Sequence, residues 1–225
     1  MASQSVNGVN TYPVDYWHEM PAPRVGWDVL VRQPHIVEVG DIVHVQGGSL
    51  YSRVIRWVTR SSSEEPSWAS HTALVLEVAD IVTVIDTVGM RVSVRPLSAY
   101  SFSRCKVLVS RVPGGLSAQQ KASLAEKARD YEGRLYGVFK LLSHALDRLL
   151  DNRYFFRRLA RVDDYPICSW MVAYVYQRSL SLLFGCPPNA AQPDDILDYC
   201  VGSRWTRVWA DSAPTLAECG SMYVS

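Results

Sequence analysis

Apolar positions change their spacing near residue 115, in short β-branched blocks before it and at helical intervals after it. The segment Val39-Gly40-Asp41-Ile42-Val43-His44-Val45 predicts a turn leading into a strand. Thr72–Val78, Ile81–Asp86 and Arg91–Arg95, parted by Ala79-Asp80 and Val88-Gly89, predict three strands, and Cys105–Val112 a fourth, together an antiparallel meander. Between these blocks, Leu50, Val54, Trp57 and Val58 recur at helical spacing and predict a short helix over 49–60 with Ser49 as N-cap, followed by a polar loop over 61–67.

Past Pro113-Gly114-Gly115, Ser117 with Gln120 three residues on forms a capping box. Ala118, Ala122, Ala125, Ala128 and Tyr131 carry the apolar stripe of the helix that follows. Further helices are predicted over 135–150 and 167–183. After the Pro187-Pro188 and Pro193 breaks, Asp194-Asp195 can cap a short helix reaching Tyr199. Strands first and helices afterwards predict an α+β domain over 38–225. Residues 1–37, with Pro13, Pro21, Pro23 and Pro34 among Tyr12, Tyr16, Trp17 and Trp27, read as an extended, aromatic-anchored arm suited to docking on a protein partner.

Composition narrows the function classes. With 23 basic and 22 acidic residues in 225, no global field argues for a nucleic-acid partner. The five cysteines are odd in number, widely spread and without a C-x-x-C pair, which argues against a disulfide framework and a zinc site and for free thiols in a reducing compartment. No metal or other cofactor is expected. The first 25 residues lack a charged start followed by an apolar stretch, and no apolar run is long enough to span a bilayer. Locally the charge is uneven: residues 134–161 hold seven basic and two acidic side chains interleaved with Leu149, Tyr154, Phe155 and Phe156. That stretch is either a solvated face with a core stripe or a contact for an anionic membrane surface.

The candidate chemistry lies in Cys168 and His71. A thiol nucleophile needs a lowered pKa, from a helix N-terminus or a neighbouring imidazolium. Cys168 follows Pro166 at a predicted helix start. His71 opens an apolar strand, and Asp86 ends the next one, where a hairpin brings it close enough to orient the imidazole. Each residue also has a plainer reading: a buried structural cysteine, a satisfied core histidine, a turn aspartate. Gln46 and His44 on the preceding strand, with Ser169 and Tyr165 beside the cysteine, are candidates for oxyanion or substrate contacts or are ordinary polar neighbours.

The set Gly40-Asp41-Ile42-Val43, Thr59-Arg60-Ser61, Ser70-His71-Thr72-Ala73-Leu74-Val75-Leu76, Asp86 and Ile167-Cys168-Ser169 resembles the circularly permuted papain-like branch of the NlpC/P60 superfamily. That branch includes YiiX-like and lecithin:retinol acyltransferase-like proteins, and in it the histidine precedes the cysteine. The resemblance covers roughly residues 38 to 200, including Tyr136-Gly137 and Pro193-Asp194-Asp195. It implies a papain-like fold, with Cys168 as nucleophile, His71 as general base and Asp86 as orienting carboxylate. The chain departs from the pattern in carrying Asp86 where Glu is common, and Trp170 where an acidic residue often stands two places after the cysteine. The second change bears on substrate class.

The activity so implied is a thiol hydrolase cleaving an amide of a peptidoglycan peptide, a cell-wall amidase or endopeptidase. Without a signal peptide, a phage particle or an injected effector would carry it to the periplasm by a non-Sec route. The alternatives are a lipid acyl hydrolase or acyltransferase, and a non-catalytic papain-like module in a virion or secretion assembly.

Overall fold

The computed structural model describes residues 24–59, 68–88, 91–102, 104–135 and 168–211. Strands β1 (Arg24–Val25), β2 (Ile42–Gly47), β3 (His71–Val78), β4 (Val82–Val88), β5 (Arg91–Pro96), β6 (Cys105–Arg111) and β7 (Thr206–Ala210) form one mixed sheet. Their order is β1-β7-β6-β2-β3-β4-β5. Only the β1–β7 pair is parallel. The helices are α1 (Trp27–Arg32), α2 (Leu50–Thr59), α3 (Ala118–Arg129), α4 (Cys168–Leu180) and α5 (Pro193–Gly202). The fold is α+β, as the order of periodicities predicts.

The expected meander holds for β3, β4 and β5. It does not extend to β6: the 3-10 turn Leu97–Phe102 carries the chain away, and β6 pairs on the far side of β2. Central β2 therefore has ladder partners on both edges, which suits its almost wholly buried residues Ile42, Val43, His44 and Val45.

Side chains alternate between two cores. One face, with Ile42, Leu74, Leu76, Ile85 and Val92, is covered by α3 and α4 through Leu124, Ala128, Met171, Val172 and Val175. The other, with Val43, Val45, Ala73, Val75 and Val84, is covered by α1 and the 3-10 turn through Leu30, Leu97 and Tyr100. The capping box forms as expected: Gln120 N–H donates to Ser117 Oγ at 3.2 Å and Ser117 N–H donates to Gln120 Oε1 at 2.9 Å. At α2, Ser52 N–H donates to Ser49 Oγ at 3.1 Å.

Three expectations are corrected. The N-cap of α5 is Gln192, with Asp195 at the third helical position accepting from its N–H, so neither aspartate is the cap. Within the presumed extended arm, residues 24–37 instead form β1, α1 and a 3-10 turn at Pro34–Ile36, because Trp27 packs edge-on against Trp209 at 4.7 Å and β1 pairs with β7. Strand β7 was not expected at all; its long-range pairing with β6 on one side and β1 on the other makes so short a segment a strand. Leu135, expected to open a helix, instead bridges Arg91; the rest of that expected helix to 150, residues 136–161 of the basic stretch, the loop over 61–67 and Tyr165 lie outside the described residues.

The turn before β2 shows how the end of the sheet is held. Gly40 has a φ of +91°, and an added Cβ would stand 2.6 Å from Leu116 Cδ1. Asp41, almost fully buried, accepts from Arg111 Nε at 2.9 Å and Nη2 at 2.8 Å, while Arg111 Nη1 reaches Glu38 Oε1 at 2.7 Å. From α4, the Tyr176 hydroxyl donates to the Gly40 carbonyl, tying the helix to the same turn.

Candidate functional site

The β3–β4 and β4–β5 hairpins assemble the first half of the site. Extended by one pair from Leu74↔Ile85, the register sets Ala73 opposite Asp86 and His71 one diagonal step away on the same face. On the other side Asp86 pairs with Ser93, and Arg95 is the matching diagonal neighbour. The side chains meet accordingly. His71 Nε2 lies 3.3 Å from Asp86 Oδ2, and Arg95 donates to the same carboxylate from Nη2 at 2.6 Å and from Nε at 3.1 and 3.2 Å. The Tyr100 hydroxyl donates to Asp86 Oδ2 as well.

A carboxylate with no solvent exposure requires this many donors. Burial pushes the Asp86 pKa up, but the hydrogen bonds and charges of His71 and Arg95 outweigh it and hold the group at about 2. Tyr100 is pushed well above its usual range by burial and by Asp86, so it remains a neutral donor. Arg95 also stacks over the Tyr100 ring at 4.2 Å.

Cys168 supplies the second half. It is the first residue of α4, whose opening turn overhangs the start of β3, and its thiol lies close enough to the His71 ring for each to shift the other's pKa. With Nε2 committed to Asp86, Nδ1 is the ring nitrogen left for the sulfur. Burial raises the thiol pKa; the His71 charge and hydrogen bond, then the backbone N–H groups of Thr72 and Ser169, reverse this and carry it below the ordinary thiol value. Burial pulls the His71 pKa down, and the charges of Cys168 and Asp86 on its two sides push it above the ordinary value. Each group thus favours the charged form of the other, and the His71 side chain keeps 21% of its exposure, so the site has an opening to solvent.

Ser70 sets the approach to His71. Its hydroxyl accepts from Gly47 N–H at 2.9 Å and donates to the Val45 carbonyl at 3.2 Å, fastening the start of β3 to the end of β2. Gly47 must be glycine here, since a Cβ would stand 2.1 Å from Ser52 Oγ.

The remaining expected contacts divide. Gln46, half-buried, lies at the sheet end where Val45 pairs with His71. His44 faces the helices and is fully enclosed; burial lowers its pKa to about 3, so it is a neutral ring walled off from solvent and not a substrate contact. The Ser169 side chain is also withdrawn: its hydroxyl donates to the Ala191 carbonyl at 2.8 Å, and only its backbone N–H reaches the sulfur. Trp170, expected to bear on the substrate groove, is instead a core residue stacked on Tyr174 at 5.0 Å and edge-on to Tyr131 at 5.6 Å.

Sequence reasoning missed Arg95, Tyr100 and the Thr72 N–H. Arg95 had a readable signal, its alternation within a predicted strand adjacent to that of Asp86. Tyr100, in a 3-10 turn, had none.

The described residues thus form an α+β sheet domain in which an imidazole is hydrogen-bonded to a buried carboxylate and stands beside a thiol. Among them no group of three or more His, Cys, Asp or Glu side chains is placed to hold a metal ion, and no helix is long and apolar enough to cross a membrane. No protein-family model matches the chain, and no curated protein does. Among solved structures the chain is similar to the metalloprotein YiiX from Escherichia coli O157:H7, of DUF1105. Identity is 28%, over 64% of this chain and 67% of that one, at a TM-score of 0.48.

Proposed function

We propose that the protein is a cysteine hydrolase of permuted papain-like type that cleaves an acyl bond through a thioester at Cys168. The observation that carries this reading is the juxtaposition of Cys168 with a His71 hydrogen-bonded to buried Asp86, with the thiol drawn below its ordinary pKa despite full burial. A cysteine kept only for packing would be driven upward, as Cys200 is.

The Cys168 thiolate attacks the acyl carbon, forming a C–S bond and a tetrahedral oxyanion. As that intermediate collapses, the carbon–nitrogen or carbon–oxygen bond breaks and the leaving group takes the proton of the His71 imidazolium. Neutral His71 then removes a proton from water, whose oxygen attacks the thioester; the acid departs and the thiolate–imidazolium pair returns. Asp86 keeps Nε2 protonated and directs Nδ1 to the reaction throughout. Gln46 is our assignment for the side-chain donor to the oxyanion, and its truncation costs about 10²–10³ in turnover.

The first substrate reading is an amide of a peptidoglycan peptide, following the family resemblance. The second is a lipid ester or amide, favoured by the exposed apolar side of α2 beside the site. Purified protein is incubated with peptidoglycan fragments and, separately, with phospholipid vesicles, and released amines or acids are quantified. Product from either, lost in Cys168→Ala with folding intact, supports the hydrolase. Release from neither, with a Cys168 thiol that ionises like an ordinary one, returns the chain to a non-catalytic module.

A further inference from the structure

Helix α2 carries an exposed apolar stripe. Leu50, Val54 and Trp57 fall on it at i, i+4 and i+7, and all three are exposed, Leu50 at 75%, whereas Ser52, Ile55 and Arg56 on the opposite side are half-buried. Arg56 lies within electrostatic reach of Asp194 of α5, and Ser52 packs at Gly47. A helix that exposes leucine, valine and tryptophan while a serine and an arginine are half-buried departs from the usual arrangement.

The stripe continues onto the neighbouring turn. Gly47 pairs with Cys105, and a Cβ on Gly48 would lie 2.2 Å from the Arg104 carbonyl, so the start of α2 and Arg104 share one rim of the sheet, with Phe102 ending the turn beside it. Phe102 on that rim is 93% exposed. This is also the end at which Val45 pairs with His71.

The charge on the rim has one sign. Residues 42–63 and 87–125 contain no Asp or Glu. Arg53 on α2 and Arg104 beside Gly48 are both exposed. With Arg56 discounted for Asp194, the rim remains a set of apolar side chains flanked by cations.

We infer that this rim, made of α2 and Phe102, docks on an anionic bilayer surface and turns the opening at His71 toward the lipid headgroups. A tryptophan among leucine, valine and phenylalanine with arginines at the margin is the composition that enters a headgroup layer. A hydrated anionic polymer would match the arginines and leave the leucine and phenylalanine uncovered. The docking is independent of the thiol chemistry and holds for either substrate reading.

Cosedimentation of the full chain with vesicles of phosphatidylcholine alone, and of phosphatidylcholine mixed with phosphatidylglycerol, tests it. The expected result is binding to the anionic vesicles that weakens as salt is raised. Leu50→Asp and Phe102→Asp should each lower the partition coefficient about tenfold. Arg53→Glu should lower it about thirtyfold on anionic vesicles, at roughly 1 kcal/mol per charge for the two charges changed.

Cys168→Ala should dock like the unmodified protein, so loss of docking and loss of hydrolysis are read separately. Absence of binding to anionic vesicles, or binding that the three substitutions and salt leave unchanged, overturns the inference. So does a lipid-free dimer that Leu50→Asp splits, which would make this face a contact between two copies.

Discussion

Replacing His71 with Ala should move the Cys168 thiol across the ordinary thiol value, from below it to above it. Burial is the largest influence on this thiol and acts upward; the imidazolium is the main influence that reverses it, and the two backbone N–H groups add less. An unperturbed thiol near pKa 8.5 is about 3% ionised at pH 7 and about 0.03% at pH 5. Each unit of downward displacement multiplies the thiolate tenfold under acidic conditions and reduces its intrinsic nucleophilicity about threefold, a net gain of roughly 3.5. A separation of two units between the unmodified protein and His71→Ala therefore gives a rate ratio of about tenfold at pH 5, and the ratio shrinks toward neutrality.

The assay is a titration of thiolate ultraviolet absorbance, with the Cys168→Ala spectrum subtracted to remove the other cysteines, beside iodoacetamide alkylation at about pH 5. Cys186 and Cys200 add little background, because burial pushes Cys186 up to about 12 and Cys200 well above its usual range. Asp86→Asn, which removes the charge supporting the imidazolium, should fall between the two. A midpoint that stays where it was in His71→Ala would refute the assignment of the shift to the imidazole.

Three further outcomes follow from the same contacts. Asp86 has a folded pKa of about 2 against 3.8 unfolded, a depressed value, so its contribution of about 2 kcal/mol is present above pH 4 and is lost as pH falls toward 2; urea midpoints across that range should lose this dependence in Asp86→Asn. Arg111→Met should destabilise by about 3 kcal/mol at neutral pH by leaving buried Asp41 without its cation. The Asp41 pKa is already raised by burial and would rise further, so the loss should shrink on acidification through that value, as denaturant melts at two pH values would show. Gly40→Ala places a Cβ at a φ of +91° against Leu116 and should cost about 2 kcal/mol in the same melts.

What the sequence disclosed tracks how local each determinant is. Helix α3 was legible down to its cap because Ser117 and Gln120 are neighbours, and β3, β4 and β5 were legible because short loops join them. The placement of β6 across β2 and the existence of β7 depend on partners far along the chain, which no local period reports. The site follows the same division. His71 and Asp86 could be paired from two adjacent strands, whereas the enclosure of His44 and Trp170 depends on the packing of α4 and α5, decided only when the helices close over the sheet.

The line of side chains also bears on how the thiolate of the proposed mechanism would be tolerated in the interior. From Arg95 through Asp86 and His71 to Cys168 the charges of that state would alternate, each beside its opposite. The set would then be neutral, with two pairs and no uncompensated ion. Acylation on the proposed mechanism would preserve that balance, because the sulfur becomes a neutral thioester as His71 gives its proton to the leaving group. The Arg95–Asp86 pair is then left to neutralise itself, with Tyr100 still donating. Only the transient oxyanion is unbalanced, which puts the need for a donor at the open end of β2 and β3, where Gln46 lies and where the exposed edge of α2 begins.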